Sequence, residues 1–240
     1  MRKFLLGTAA IVAVASALAV CSPTAHAGII VDYSLDGGLT FNTLISGASG
    51  TTQNIGSATL GAFTLTDMSI LSNSPGTPSI AKVLSASLDL INNTHSTASI
   101  EFVFSDTGFT SPTAPPDLKL NSHIGGSVTV GSVANLASFT SCASSTNTNL
   151  HSCAGATAVA GPGTPDITAN SFSSDNTDVV HTLAAPYSLT STWDVTLGGG
   201  SDVGFQANTS LAPIPAPEPV SLTLLGTALI GLGIARRRRT

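Results

Sequence analysis

Residues 187–197 read YSLTSTWDVTL, and apolar and polar side chains alternate along this stretch. Successive side chains of a β-strand point to opposite faces, so one face of this strand is buried and the other meets water. The buried parity carries the bulky side chains Tyr187, Leu189, Trp193, Val195 and Leu197. A glycine-rich loop at 198–202 follows, and the alternation resumes at 203–207, which predicts a terminal hairpin.

Similar alternation predicts further strands. A second hairpin is expected where 84–90 and 100–104 flank an asparagine-rich turn. Weaker strands are expected at 29–35, 58–70, 127–133 and 179–183, and long loops at 107–123 and 138–177. No stretch shows a sustained helical period with caps. We therefore predict an all-β domain at 28–212, with about seven or eight antiparallel strands in a β-sandwich or jelly roll.

The charge of this domain is strongly acidic. Between residues 28 and 216 only Lys82 and Lys119 oppose twelve acidic side chains, which gives a formal net charge of −10. Binding of a nucleic-acid backbone depends on clustered lysines and arginines, and an acidic surface repels phosphate. Nucleic acid is therefore excluded as a partner.

The first 27 residues have the three parts of a secretory signal peptide. Basic residues follow Met1, an apolar run covers 4–20, and Ala25-His26-Ala27 offers a small-x-small cleavage site before Gly28. A permanent membrane helix is the alternative, but the run is short and ends at a good cleavage site. Cys21 raises lipidation as a third alternative, although Val20 stands where lipoproteins carry a small residue. We expect signal peptidase to cut after Ala27.

The C-terminal segment 213–240 begins with prolines that cannot join a helix interior or the middle of a sheet. Pro217, Glu218 and Pro219 are followed by an apolar run at 220–235 and then by Arg236, Arg237, Arg238 and Arg239. As a helix the run would rise about 24 Å, whereas a bilayer core is about 30 Å thick. It could still insert as a single transmembrane helix, with the arginines held in the cytoplasm by the positive-inside bias.

This tripartite tail, residues 217–240, resembles the PEP-CTERM sorting signal of Gram-negative bacteria in the order, spacing and length of its parts. In that family an exosortase, a membrane-embedded transpeptidase, recognises the segment and cuts near the Pro-Glu-Pro motif. The resemblance implies an exported protein that is tethered to the inner membrane as an intermediate and then reaches the cell surface or the extracellular space. It also implies an association with exopolysaccharide and biofilm matrix. A plain single-span anchor is the alternative.

Cys142 and Cys153 are the cysteines that follow the predicted signal peptide. An oxidising compartment favours a disulfide between them, which closes a loop of about a dozen residues and contributes about 2 to 4 kcal/mol. The alternative is a metal site that includes His151. That spacing matches no common zinc pattern and lacks a fourth ligand.

Two acidic clusters are weak candidates for Ca²⁺ ligands, because this cation takes about six to eight oxygen ligands. The candidates are Asp32 with Asp36, and Asp175 with Asn176 and Asp178. Neither cluster matches the EF-hand loop or a Gly-Asp repeat, and solvated turn carboxylates are the alternative. No other cofactor is expected.

The domain shows no catalytic signature, since it lacks a Gly-x-Ser-x-Gly elbow, a His-Glu-x-x-His motif and a glycine-rich phosphate loop. Glu101 is its single glutamate, and a retaining or inverting glycosidase could use two aspartates instead, but that pairing requires a defined separation that the sequence does not show. We expect a non-enzymatic surface or extracellular-matrix protein. A carbohydrate- or Ca²⁺-dependent binding module that uses the two long loops is the first alternative, and a secreted hydrolase is the second.

Overall fold

The computed structural model describes residues 28–168, 170–215 and Thr227. The predicted signal peptide, with Ala25 and Ala27, lies outside the described residues, and Gly28 is the first residue described. The predicted sorting residues also lie outside them, namely Pro217, Glu218, Pro219, Arg236, Arg237, Arg238 and Arg239. Among the residues that are described, no helix is long and apolar enough to cross a membrane.

Thirteen β-strands form within the described part of the chain. They are β1 Gly28–Ser34, β2 Asn42–Ala48, β3 Thr52–Ile55, β4 Ala58–Leu60, β5 Phe63–Ser72, β6 Ala81–Asn92, β7 Ala98–Phe109, β8 Leu118–Val130, β9 Leu136–Ser144, β10 Ala158–Gly163, β11 Ser171–Val180, β12 Tyr187–Leu197 and β13 Asp202–Pro213.

The strands form two sheets in which every pairing is antiparallel. Sheet A has the order β10-β9-β12-β7-β1-β2. Sheet B has the order β11-β8-β13-β6-β5-β3, with β4 beside β5. The sheets pack face to face, and the predicted all-β antiparallel class is confirmed.

Trp193 of β12 lies at the centre of the core between the sheets. Its ring centroid is 4.8 Å from that of Phe104, 5.5 Å from that of Phe139 and 6.0 Å from that of Phe205 in sheet B. Large aromatic side chains dominate the energetics of such a core because each removes much apolar surface from water. The buried parity predicted for 187–197 is confirmed, since its five bulky side chains are at most 1% exposed.

Both predicted hairpins are wrong, because each joins strands of different sheets. β12 lies in sheet A and β13 in sheet B, and β6 and β7 are divided in the same way. Alternation shows that one face of a strand is buried, and that face looks the same whether the next strand pairs along its edge or lies across the core. The connections at 93–97 and 198–201 are therefore crossovers between the sheets.

The two predicted long loops are much shorter in the structure. β9, β10 and β11 lie within or overlap 138–177, which was expected to be a loop, and 107–123 contains only the connection 110–117 between β7 and β8. In β9 the inward positions include Ala137, Ser141 and Ala143, so the apolar signal is weak. β11 lies at the edge of sheet B, and only Phe172 and Val180 along it are buried.

Both ends of the described domain lie at one end of the sandwich, which we call the proximal end. Ile29 of β1 pairs with Asp106 near the end of β7, and Pro213 pairs with Leu118 at the start of β8. The short connection 110–117 joins these two places. The opposite end, which we call the distal end, carries the connections 93–97, 131–135 and 198–201.

Candidate functional site

The outer face of sheet A brings polar residues of four strands together. Because side chains alternate and neighbouring strands are in register, opposite residues form rows across a sheet, with Cβ atoms about 5 Å apart. One row, which we call the acidic row, consists of Ser34, Glu101, Asp194 and Ser138. The next row consists of Asp32, Val103, Thr192 and Thr140.

The loop 145–157 covers the proximal part of this face. The sulfur atoms of Cys142 and Cys153 lie at disulfide-bonding distance, with their Cα atoms 5.6 Å apart, as the sequence predicted. The loop also contacts β7, because the Gly108 N–H donates to Asn147 Oδ1 at 2.7 Å. Ser188 and Thr190 share the outer face with Cys142, and all three are at most 1% exposed. The disulfide thus holds a cover over this part of the sheet.

His151 connects the loop 145–157 to β1. Its Nε2 lies 2.9 Å from Asp32 Oδ2, and its ring stacks on Phe41 with centroids 4.4 Å apart. The side chain of Asp32 is only 8% exposed, and a buried polar group needs a hydrogen-bond partner, which His151 supplies for Oδ2. The two sulfur atoms contact each other and His151 contacts Asp32, an arrangement that favours the disulfide over the alternative of a metal site formed by these three side chains.

Glu101 lies directly opposite Asp194 in the acidic row. Burial raises the pKa of Glu101 above its usual range, and the nearby charges of Asp194 and Asp36 raise it further, whereas His151 lowers it. Asp194 is exposed and accepts a hydrogen bond from Ser138 Oγ at 3.1 Å. Glu101, which is partly buried, and Asp194, which is exposed, thus face the same side of the sheet.

A surface cavity of about 530 Å³ adjoins Asp194. Its lining includes Leu136 and Ser138 from β9, and Pro165 and Asp166 from the connection between β10 and β11. This volume falls in the range of sites for small organic ligands, about 300 to 1,000 Å³. A smaller cavity of about 60 Å³ is lined by both Glu101 and Asp194.

Asp36 serves as the cap of the turn that follows β1. Its Oδ1 accepts hydrogen bonds from the N–H groups of Leu39 and Thr40, and its Oδ2 accepts one from Thr40 Oγ1 at 2.6 Å. These bonds, those from Thr40 first, lower the pKa of Asp36 to about 2. The carboxylate therefore stabilises the local turn.

The second calcium candidate is split between two faces of β11. Asp175 Oδ1 lies 2.8 Å from His123 Nδ1 of β8, whereas Asp178 Oδ2 accepts the Val159 N–H of β10 at 3.2 Å. Residues three positions apart on a strand point to opposite faces, so Asp175 and Asp178 do not converge. Asn176 shares the parity of Asp178.

Among residues 28–168 and 170–215, no group of three His, Cys, Asp or Glu side chains is placed to hold a metal ion. The calcium hypothesis stays a prediction.

The pairing of Glu101 with Asp194 was not predicted from the sequence. The available signals were that Glu101 is the single glutamate of the domain and that Asp194 belongs to the polar parity of its strand. What the sequence lacked was the register between β7 and β12, which depends on a pairing across about ninety residues. Comparison with protein-family models and with curated proteins finds no match to this chain.

Proposed function

We propose that this chain is an exported, exosortase-sorted surface or extracellular-matrix protein that is non-enzymatic and associates with exopolysaccharide. The signal-peptide pattern at 1–27 and the PEP-CTERM-like tail at 217–240 support the export and sorting steps. Signal peptidase and an exosortase are the processing partners. The tail holds the precursor in the inner membrane before release to the surface.

The observation that carries this proposal is that both ends of the described domain, near Ile29 and Pro213, lie at the proximal end of the sandwich. A domain that is held by its C-terminal tail would then expose its distal loops and both outer sheet faces to the surroundings. The strand orders β6-β13-β8-β11 and β7-β12-β9-β10 support a jelly-roll architecture, in which consecutive strands face each other across the core. The bonded cysteines support an oxidising compartment.

The experiment that tests sorting compares a host that has an exosortase with its exosortase deletion. The intact mass and the cell fraction of the protein are measured in both hosts, beside a variant in which Pro217, Glu218 and Pro219 are all alanine. We expect a shortened, surface-located or released protein only with the wild-type tail and the exosortase present. A protein that keeps its full mass in both hosts would show that residues 217–240 form a plain anchor.

A secreted glycoside hydrolase is the second candidate, and the opposition of Glu101 and Asp194 favours it. Residues that face each other across antiparallel strands have Cβ atoms about 5 Å apart, so two carboxyl groups lie on one side of the sheet here, and glycosidases use a pair of Asp or Glu carboxyl groups. The test is release of reducing ends from polysaccharides by the wild-type chain and by Glu101→Gln. Release that depends on Glu101 would replace the non-enzymatic proposal with the hydrolase, and its absence supports the former.

A further inference from the structure

A groove crosses the outer face of sheet B, on the side of the molecule opposite the acidic row. It has a volume of about 450 Å³ and spans four neighbouring strands, β6, β13, β8 and β11. Its floor includes Gly125 and Gly126 of β8 and Gly204 of β13, and its polar lining includes Asp89, His123 and Gln206. We call it the glycine groove.

Glycine is unfavourable inside strands, and it often marks a place where another group approaches the backbone closely. Gly126 follows the inward parity of β8 and has a packing reason, because an added Cβ would lie 2.6 Å from the Phe172 ring. Gly125 and Gly204 have the outward parity. At Gly204 an added Cβ would lie 2.7 Å from Asp89 Oδ1, and at Gly125 it would lie 3.4 Å from His123 Nε2. The bare backbone at Gly204 makes room for Asp89, whereas at Gly125 the nearest atom to an added Cβ would be the Phe172 carbonyl oxygen at 3.2 Å, with His123 Nε2 at contact distance.

The polar groups therefore converge on the floor from both sides. Asp175 Oδ1 lies 2.8 Å from His123 Nδ1 and fixes the ring, which leaves His123 Nε2 over Gly125. Asp89 leans over Gly204 from β6. Gln206 pairs with Gly125 across the strands and is exposed. Neither Asp89 nor Gln206 uses its side chain in a hydrogen bond to another described residue, so a carboxylate, an amide and an imidazole are available to a ligand.

The chemistry of this lining disfavours anions and fits a ligand with many hydroxyl groups. Asp67 lies opposite Asp89 and Asp202 is near it, so the surroundings repel anions. The aromatic side chains of the lining, Phe172 and Phe205, are only 8% and 1% exposed, so the ligand would be held by hydrogen bonds more than by stacking. A site that offers carboxylate, amide and imidazole groups side by side can both donate to and accept from sugar hydroxyls.

We propose that the glycine groove binds a neutral polysaccharide through Asp89, His123 and Gln206. This inference deepens the proposed function, since it rests on the association with exopolysaccharide and assigns that association to a site. The groove is open and lies on the outer face of a sheet, so it fits a chain that passes across the strands better than a small molecule that must be enclosed.

The test is affinity electrophoresis of the full chain in gels that contain dextran, laminarin or galactomannan as neutral polysaccharides, or alginate as an anionic one. The chain is purified from whichever cell fraction contains it, so binding is measured even where sorting fails. Asp89→Ala and Gln206→Ala remove exposed groove side chains, and Thr177→Ala, on the outer face of β11 outside the groove lining, is the control. Circular dichroism and urea midpoints check that each variant is folded.

We expect at least one neutral polysaccharide to retard the wild type, with an affinity reduced at least about fivefold in Asp89→Ala and Gln206→Ala and unchanged in Thr177→Ala. Absence of retardation by all three neutral polymers, or equal retardation of every variant, would overturn the site. Retardation by alginate alone would overturn the neutral ligand class. Loss of surface delivery with binding retained would instead count against the sorting proposal.

Discussion

Asn92, the last residue of β6, donates its side-chain amide to the backbone carbonyl of Leu197, the last residue of β12, at 2.9 Å. The two strands belong to different sheets, so this bond joins the sheets at the distal end. The same amide donates to the carbonyls of Ser96 and Gly198, and Asn92 Oδ1 accepts from the Thr94 N–H. One fully buried side chain therefore holds both crossovers.

Asn92→Ala should lower the free energy of unfolding by about 2 to 3 kcal/mol, because it leaves buried carbonyl groups without donors. Urea unfolding, monitored by the fluorescence of Trp193, measures this change. Asn93→Ala is the matched control, since Asn93 is exposed and its side chain makes one bond, to Thr64 Oγ1. A loss as large in Asn93→Ala as in Asn92→Ala would contradict the role given to Asn92.

These crossovers also show that the extent of a strand can be predicted from the sequence more readily than the sheet to which it belongs. The strand Tyr187–Leu197 could be predicted to the residue, because bulky side chains fall on one parity and glycines end it. Its sheet could not be predicted, because a strand across the core and a strand along the edge bury the same face. β9 escaped prediction because small and hydroxyl side chains point inward along it, and some of them bond across the core, as Ser141 does to Thr209.

The same limit applies to the candidate site. Glu101 stood out in the sequence as a single glutamate, but its relation to Asp194 depends on strand register. The disulfide could be predicted because the chain offers only two cysteines after residue 27. The bond from His151 to Asp32 joins residues 119 positions apart, and no local pattern carries that information.

Asp106 and Asp36 should make opposite contributions to the pH dependence of stability. Burial raises the pKa of Asp106, although hydrogen bonds from Ser49 Oγ and the Thr107 N–H lower it in part. A raised pKa means that the folded state favours the protonated acid. This contribution is complete below the unfolded pKa and is lost as the pH rises through the folded pKa. Asp106→Asn should therefore raise stability at pH 7 and change it little near pH 3.

Asp36 is the matched comparison, because its pKa is lowered to about 2. Its contribution is present above the unfolded pKa and disappears as the pH falls towards 2. Asp36→Asn should lower stability at pH 7 and have little effect at pH 2. Urea unfolding at pH 7 and at acidic pH measures both variants. Changes of the same sign at pH 7 would show that burial does not distinguish these two carboxylates.

The disulfide should stabilise the cover over sheet A. Replacing both Cys142 and Cys153 by alanine should lower the free energy of unfolding by about 2 to 4 kcal/mol, because the unfolded chain regains the freedom of an open loop. A reductant should lower the urea midpoint of the wild type in the same direction and leave the double variant unchanged. A wild type that is insensitive to a reductant able to open the bond would show that the bond contributes little.

Two neighbours of Glu101 should shift its pKa in opposite directions. Asp194 raises the pKa of Glu101 by repulsion, whereas His151 lowers it by attraction. Asp194→Asn should therefore lower the pKa of Glu101, and His151→Ala should raise it. In both variants the pKa should stay above the usual value for glutamate, because burial is the largest cause of the shift and neither substitution removes it.

The side-chain carboxyl carbon of Glu101 can be followed by NMR titration of glutamate-labelled protein, and Glu101→Gln identifies its signal beside that of Glu218, the other glutamate of the chain. Shifts of the same sign in the two variants would mean that Asp194 and His151 do not have opposite effects on the pKa of Glu101 in solution.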